Sequence, residues 1–193
     1  YQVITIDLRN HGLSPHDPEF DFECMAGALQ ETFDTLNLSK INLMGHSLGA
    51  AAALLAGSQR SDVAAIVSVS AFAHPEQVMR RWLAEYRVPF WPLGWLVNRY
   101  IERVIGQRFD DIAPVSRIAH IQAPVLLVHG QDDTVVPLEC AQRLQASAPH
   151  ASLLVRAGRH DGFDEEDALY AQVSDWLDRN VPAAPPACAP RPQ

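Results

Sequence analysis

The chain has 193 residues, of which 48% are hydrophobic and 20% are charged, and this is enough to bury one sizeable core. We therefore expect a single globular domain. A formal net charge of -8 at pH 7 argues against nucleic acid or an anionic membrane as a partner, because both attract basic surfaces. The expected partner is a small molecule, and the oligomeric state is not predicted.

The three cysteines, Cys24, Cys140 and Cys188, are odd in number and far apart. This pattern favours neither a disulfide framework nor a metal site. Thiols of this kind suit a reducing compartment, so we predict a cytoplasmic protein. No apolar run approaches the length of a membrane-spanning helix.

Five apolar runs of strand length are continuous rather than alternating, which is typical of strands buried on both faces. They cover residues 1–7, 40–45, 63–72, 124–130 and 151–157. Helical patterns lie between them, over residues 21–36, 48–57 and 138–147. The alternation predicts an α/β fold with a mainly parallel sheet flanked by helices.

Residues 73–120 interrupt this alternation. They contain several prolines and one amphipathic helical pattern that Gly106 could end. We therefore predict a helical cap that is inserted into a core of residues 1–181. Trp82, Trp91 and Trp95 lie in the insertion. They have two interpretations: they line an apolar substrate pocket, or they attach the insertion to the core. Residues 182–193 are rich in Pro and Ala, so we expect a disordered tail.

Ser47 stands in the pentapeptide GHSLG, residues 45–49, where a predicted strand meets a predicted helix. In that context G-x-S-x-G places the serine on a strained turn that exposes its hydroxyl, and the backbone N–H of Leu48 can then stabilise an oxyanion. We predict that Ser47 is a nucleophile, with Leu48 as an oxyanion donor. The alternative is a serine that only caps the helix.

A serine nucleophile needs a base and an orienting acid. Asp132 and Asp133 follow the strand predicted at 124–130, and His160 follows the one at 151–157. The carboxyl ends of parallel strands meet at one edge of a sheet, so Ser47, an aspartate and His160 are expected to lie together. We expect His46 to pack beside Ser47 as a candidate pocket residue. The histidines form no HExxH-like cluster, so we expect neither a catalytic metal nor a cofactor.

These motifs resemble the α/β-hydrolase superfamily of serine hydrolases, over residues 1 to about 180. The likeness rests on DLRNHGLSP from Asp7, GHSLG at 45–49, HGQDDTVVP at 129–137 and GRHDGF at 158–163. The first is similar to small bacterial esterases, and the insertion resembles the broader esterase and serine-peptidase-like branch. The resemblance implies an α/β-hydrolase fold, with Ser47 as nucleophile, Asp133 as acid and His160 as base. Asp132 is then left with a role in ordering the loop.

The family's third strand and the loop after it, which carries the second oxyanion donor, have no counterpart in this sequence. We therefore expect a fragment that lacks the first strands of the fold, with Leu48 as half of the oxyanion hole. In a complete chain, residues 1–7 and 40–45 would instead pair directly.

The predicted function is that of a serine hydrolase which cleaves an ester, thioester or amide through an acyl-enzyme, with carboxylic esters as the preferred class. Since the base must be a neutral imidazole, activity is expected to fall in mildly acidic buffer. The missing strand leaves an alternative, in which the chain is a non-catalytic or vestigial binding module.

Overall fold

A computed structural model describes residues 4–7, 13–14, 22–38 and 40–181. Within these ranges four parallel strands form one sheet in the order β1-β2-β3-β4. The strands are β1 Ile41–His46, β2 Val63–Val69, β3 Val125–Gly130 and β4 Ser152–Arg156. The last four predicted strands are therefore confirmed, as is the α/β fold class with a mainly parallel sheet.

The first predicted strand is wrong for residues 4–7, which have no regular secondary structure, while residues 1–3 lie outside the described ranges. Ile4 and Ile6 are exposed. In the described part of the chain β1 pairs only with β2, so residues 4–7 have no ladder partner. The Asp7 carboxylate accepts a hydrogen bond from the backbone N–H of Leu13 at 3.0 Å. Apolar composition alone does not make a strand, because a strand also needs a neighbour for its backbone.

Helices alternate with the strands, as the sequence pattern predicts. The helices predicted at 21–36, 48–57 and 138–147 are confirmed, except that residue 21 lies outside the described ranges. The predicted tail at 182–193 also lies outside them. The helices are α1 Phe22–Thr35, α2 Leu48–Gln59, α3 Pro75–Glu85, α4 Trp95–Ile105, α5 Phe109–Ile112, α6 Pro114–Arg117, α7 Leu138–Ser147 and α8 Glu166–Asn180.

The two central strands, β2 and β3, are buried on both faces, which explains their continuous apolar runs, whereas the outer strands β1 and β4 are partly exposed. Ile66 of β2 and Leu127 of β3 point to one side, where they pack with residues of α1, α2 and α7. Their neighbours Val67 and Val128 point to the other side and pack with residues of α8. Among the described residues, no helix is both long enough and apolar enough to cross a membrane.

Helix α4 lies in the predicted insertion at 73–120, and it ends at Gly106, which has the left-handed conformation at φ 72°. This helix exposes apolar side chains and buries polar ones, which is the reverse of a usual amphipathic helix. Tyr100 and Val104 are 69% and 66% exposed, whereas Asn98 and Glu102 are 1% and 7% exposed. One physical reason is that a Glu102 carboxylate oxygen accepts the backbone N–H of Phe109 at 2.9 Å, which fixes the polar side of α4 against α5.

Asn98 is buried without a hydrogen-bond partner for either amide atom among the described residues. Replacing it by leucine removes two unsatisfied polar groups, so Asn98→Leu is expected to raise the free energy of unfolding by about 1 kcal/mol. Equilibrium denaturation in urea measures the change. The matched variant Glu102→Leu removes the acceptor of Phe109 and should lower stability by about 2 kcal/mol. A loss of stability in Asn98→Leu would contradict the conclusion that the buried Asn98 amide lacks hydrogen-bond partners.

Candidate active site

The turn between β1 and α2 holds Ser47 at φ 51° and ψ -112°, a conformation that is strained for any residue except glycine. Two backbone bonds hold the turn: Ser47 N–H donates to the Val69 carbonyl at 2.8 Å, and Ala51 N–H donates to the Ser47 carbonyl at 3.2 Å. The neighbouring strand β2 therefore helps to fix the position of the serine.

The glycine at position 45 makes the turn possible. A Cβ at Gly45 would lie 2.3 Å from the Gly49 carbonyl oxygen, so strand and helix meet closely there. The second glycine differs, because a Cβ at Gly49 would meet no described atom within 4 Å. The close approach of strand and helix thus depends on Gly45 and not on Gly49.

The Ser47 hydroxyl does not cap α2, although the residue occupies the N-cap position. Its Oγ lies 3.1 Å from Nε2 of His160. On the other side of that ring, Nδ1 lies 2.8 Å from a carboxylate oxygen of Asp133. A carboxylate only accepts, so Nδ1 carries the proton and, in a neutral ring, Nε2 accepts from the serine hydroxyl. The structure thus joins Ser47, His160 and Asp133 in one hydrogen-bonded series.

The Asp133 carboxylate accepts three hydrogen bonds and is buried, since its side chain is 0% exposed. Burial by itself raises the pKa of this carboxyl. The hydrogen bond from His160 and those from the backbone N–H groups of Val136 and Val135, at 2.7 Å and 2.9 Å, outweigh it and lower the pKa below its ordinary value. The carboxylate is therefore charged at neutral pH. Its neighbour Asp132 is exposed and contributes a backbone N–H to the Gly158 carbonyl at 3.0 Å.

The loop that carries His160 is tied to the rest of the site through its backbone. Nε2 of His46 lies 2.7 Å from the His160 carbonyl oxygen, so the ring of His46 donates to it. The two imidazole rings lie 4.8 Å apart between centroids. His46 therefore packs beside His160 and helps to fix its loop, and a role of His46 in a substrate pocket stays a prediction.

The backbone N–H of Leu48 belongs to the first residue of α2, so it has no carbonyl one turn back to bind within the helix. The N-terminus of a helix also carries partial positive charge. Both features suit an oxyanion donor, and this role of Leu48 stays a prediction.

A cavity of about 350 Å³ adjoins His46 and His160. Its walls are mostly apolar and include Met44, Val69, Phe163, Leu169 and Tyr170. Sequence reasoning missed these wall residues. Leu169 and Tyr170 follow Glu166 at the spacing of one helix face, but the spacing does not say what that face packs against.

The three tryptophans of the insertion do not line this cavity. Trp82, Trp91 and Trp95 are 54%, 75% and 46% exposed, so they are not buried against the core either. The described ranges also contain no group of three His, Cys, Asp or Glu side chains placed to hold a metal ion.

The model of the alpha/beta hydrolase family matches residues 1–173 of the chain. Esterase YbfF of Escherichia coli is 39% identical over an alignment 210 positions long, which covers 92% of this chain and 83% of that protein. The uncharacterized protein YqkD of Bacillus subtilis is 35% identical over 125 residues, 62% of this chain. That match spans only 41% of the length of YqkD.

Solved structures resemble the chain at lower identity. An esterase of Pyrococcus furiosus, PF2001, superposes with a TM-score of 0.68 at 20% identity, over 90% of this chain and 68% of that one. The enol-lactonase of Burkholderia xenovorans LB400 superposes with a TM-score of 0.62 at 18% identity, over 89% and 79% of the two chains. At these identities the likeness concerns the fold.

The two glycines of the serine turn are expected to respond differently to a methyl group. Gly45→Ala forces the added carbon onto the Gly49 backbone and should lower the free energy of unfolding by about 3 kcal/mol or prevent folding. Gly49→Ala is the matched control and should change stability by less than about 1 kcal/mol. Urea denaturation of both variants compares them, and equal tolerance would contradict the close approach.

The lowered pKa of Asp133 predicts how stability depends on pH. Because the folded state favours the carboxylate, its contribution is present above the unfolded value of about 4 and is lost as pH falls through the lower folded pKa. The difference in free energy of unfolding between the wild type and Asp133→Asn should stay constant from pH 7 to about pH 5, then shrink below about pH 4. The exposed control Asp132→Asn should differ little from the wild type throughout. A difference that grows in acid would contradict a lowered pKa of Asp133 in the folded state.

Proposed function

Because the chain belongs to the α/β-hydrolase family, we propose that it is a serine hydrolase that cleaves carboxylic esters through an acyl-enzyme. The observation that carries the proposal is the hydrogen-bonded series from Ser47 through His160 to buried Asp133, at 3.1 Å and 2.8 Å. These distances suit a nucleophile, its general base and the group that orients the base.

In the proposed reaction the Ser47 oxygen attacks the ester carbonyl while Nε2 of His160 takes the hydroxyl proton. Asp133 holds the ring in its Nδ1–H form and stabilises the imidazolium. The N–H of Leu48 donates to the carbonyl oxygen as negative charge develops there. When the intermediate collapses, the imidazolium gives its proton to the leaving alkoxide, and the alcohol departs from the acyl-serine.

Water completes the proposed cycle. His160 removes a proton from the water as its oxygen attacks the acyl carbon, and the second intermediate returns the Ser47 hydroxyl and releases the carboxylic acid. Each proton taken by the imidazole is given back, so the cycle needs neither a metal nor a redox cofactor.

Three observations support an ester of modest size as the substrate. The cavity beside His46 and His160 has about 350 Å³ and mostly apolar walls, which suits a small acyl or alcohol group. YbfF and PF2001, which resemble the chain in sequence and fold respectively, carry the name esterase. We therefore prefer an ester to a thioester or a peptide, with this cavity rather than the tryptophans of the insertion as the acyl-binding region.

Turnover of a short p-nitrophenyl ester and labelling by a fluorophosphonate probe test the proposal. Ser47→Ala removes the attacking oxygen, so labelling should disappear and kcat should fall by at least about 10³-fold. Ser70→Ala is the matched control, because Ser70 also follows a strand and has a positive φ of 52°, yet its hydroxyl is buried without a partner among the described residues.

Ser70→Ala should keep both labelling and turnover. Undiminished labelling of Ser47→Ala would eliminate Ser47 as the nucleophile. A folded wild-type chain that neither turns over the ester nor reacts with the probe would instead favour the non-catalytic binding module.

A further inference from the structure

His129 is a buried titratable residue that the proposed reaction does not use. It lies in β3, one residue before the end of the strand, and is 1% exposed. Its Nε2 is 2.8 Å from the carbonyl oxygen of Val136. A carbonyl oxygen only accepts hydrogen bonds, so Nε2 carries a proton and donates it to Val136.

Val136 also touches the proposed acid. Its backbone N–H donates to an Asp133 carboxylate oxygen at 2.7 Å, while the other carboxylate oxygen accepts from His160 at 2.8 Å. Both backbone polar groups of Val136 are thus bonded, the carbonyl to His129 and the N–H to Asp133. A chain of hydrogen bonds runs from the core of the sheet to the proposed base.

We propose that His129 is a positioning residue. Its ring N–H anchors Val136, so that the backbone of the loop after β3 holds Asp133 in line with His160. This role rests on the proposed function of Ser47, His160 and Asp133. It requires no direct contact of His129 with the substrate.

Geometry favours action through Val136 over a direct bond to the carboxylate. Nε2 of His129 lies 3.6 Å from the Asp133 oxygen that His160 already occupies, which is beyond hydrogen-bond distance. The contact with the Val136 carbonyl at 2.8 Å is well within it.

The burial of an imidazole at this position also needs a reason. Leu127, two residues earlier on the same face of β3, packs in an apolar cluster, and a buried polar ring is costly unless it is hydrogen-bonded. The hydrogen bond to Val136 meets that requirement, and a leucine at this position could not donate it.

Steady-state kinetics of His129→Leu and His129→Gln test the role. Leucine removes the donor, so kcat for the p-nitrophenyl ester should fall about 10- to 100-fold with KM changed less than about threefold, since misplacement of catalytic groups is costly.

Two variants separate positioning from general destabilisation. His129→Gln restores an N–H donor and should recover kcat to within about fivefold of the wild type. Val128→Ala weakens the same strand from its opposite face, where Val128 packs near α8, and should lower stability while kcat of the folded variant falls less than about threefold. Wild-type kinetics in folded His129→Leu would overturn the role. So would equal losses of kcat in all three variants.

A measurement on the wild type decides the case in which His129→Leu does not fold. Nitrogen-15 NMR should show that Nε2 of His129 carries a proton, and an unprotonated Nε2 would overturn the inference. Failure of the proposed function has a different signature, since the wild type would then show no turnover and no fluorophosphonate labelling, whatever the state of His129.

Discussion

The site depends on one close approach of backbone to backbone, between the end of β1 and the first turn of α2. Gly45 has no side chain to separate the two, and the chain passes within a distance that no Cβ would allow. This approach forces Ser47 into its positive-φ conformation and turns its hydroxyl away from the helix. A bond from Ser47 N–H to the Val69 carbonyl then joins the strained turn to β2, a central strand that is buried on both faces and can bear the strain.

A similar close approach of backbone occurs between the loop that carries Asp133 and the loop that carries His160. A Cβ at Gly130 would lie 2.7 Å from the Gly158 carbonyl oxygen, so β3 and the loop after β4 also meet through bare backbone. Asp132 N–H bonds to that carbonyl, while the rings of His46 and His129 donate to the carbonyls of His160 and Val136. Loops that follow different strands are thus joined through hydrogen bonds to backbone carbonyls, which help to fix the distances among Ser47, His160 and Asp133.

The sequence predicts the last four strands, the helices around them, and the grouping of Ser47, Asp133 and His160. These predictions succeed because each rests on a local pattern, an apolar run or a turn motif, and on the rule that parallel strands end at one edge of a sheet. The prediction fails for residues 4–7, since an apolar run becomes a strand only beside a partner. The sequence also does not reveal the orientation of α4. That helix buries its polar face, which is bonded through Glu102 to the backbone of Phe109, and exposes its apolar face.

By itself, then, the sequence determines the order of strands and helices, the residues with the required chemistry, and their common edge of the sheet. Tertiary structure alone decides that Asp133 rather than Asp132 faces His160, and that the three tryptophans of the insertion are exposed. It alone connects His129 to the acid loop through Val136. The physical reason is that periodicity and spacing are properties of neighbouring residues, whereas a hydrogen bond between distant loops depends on how the whole chain packs.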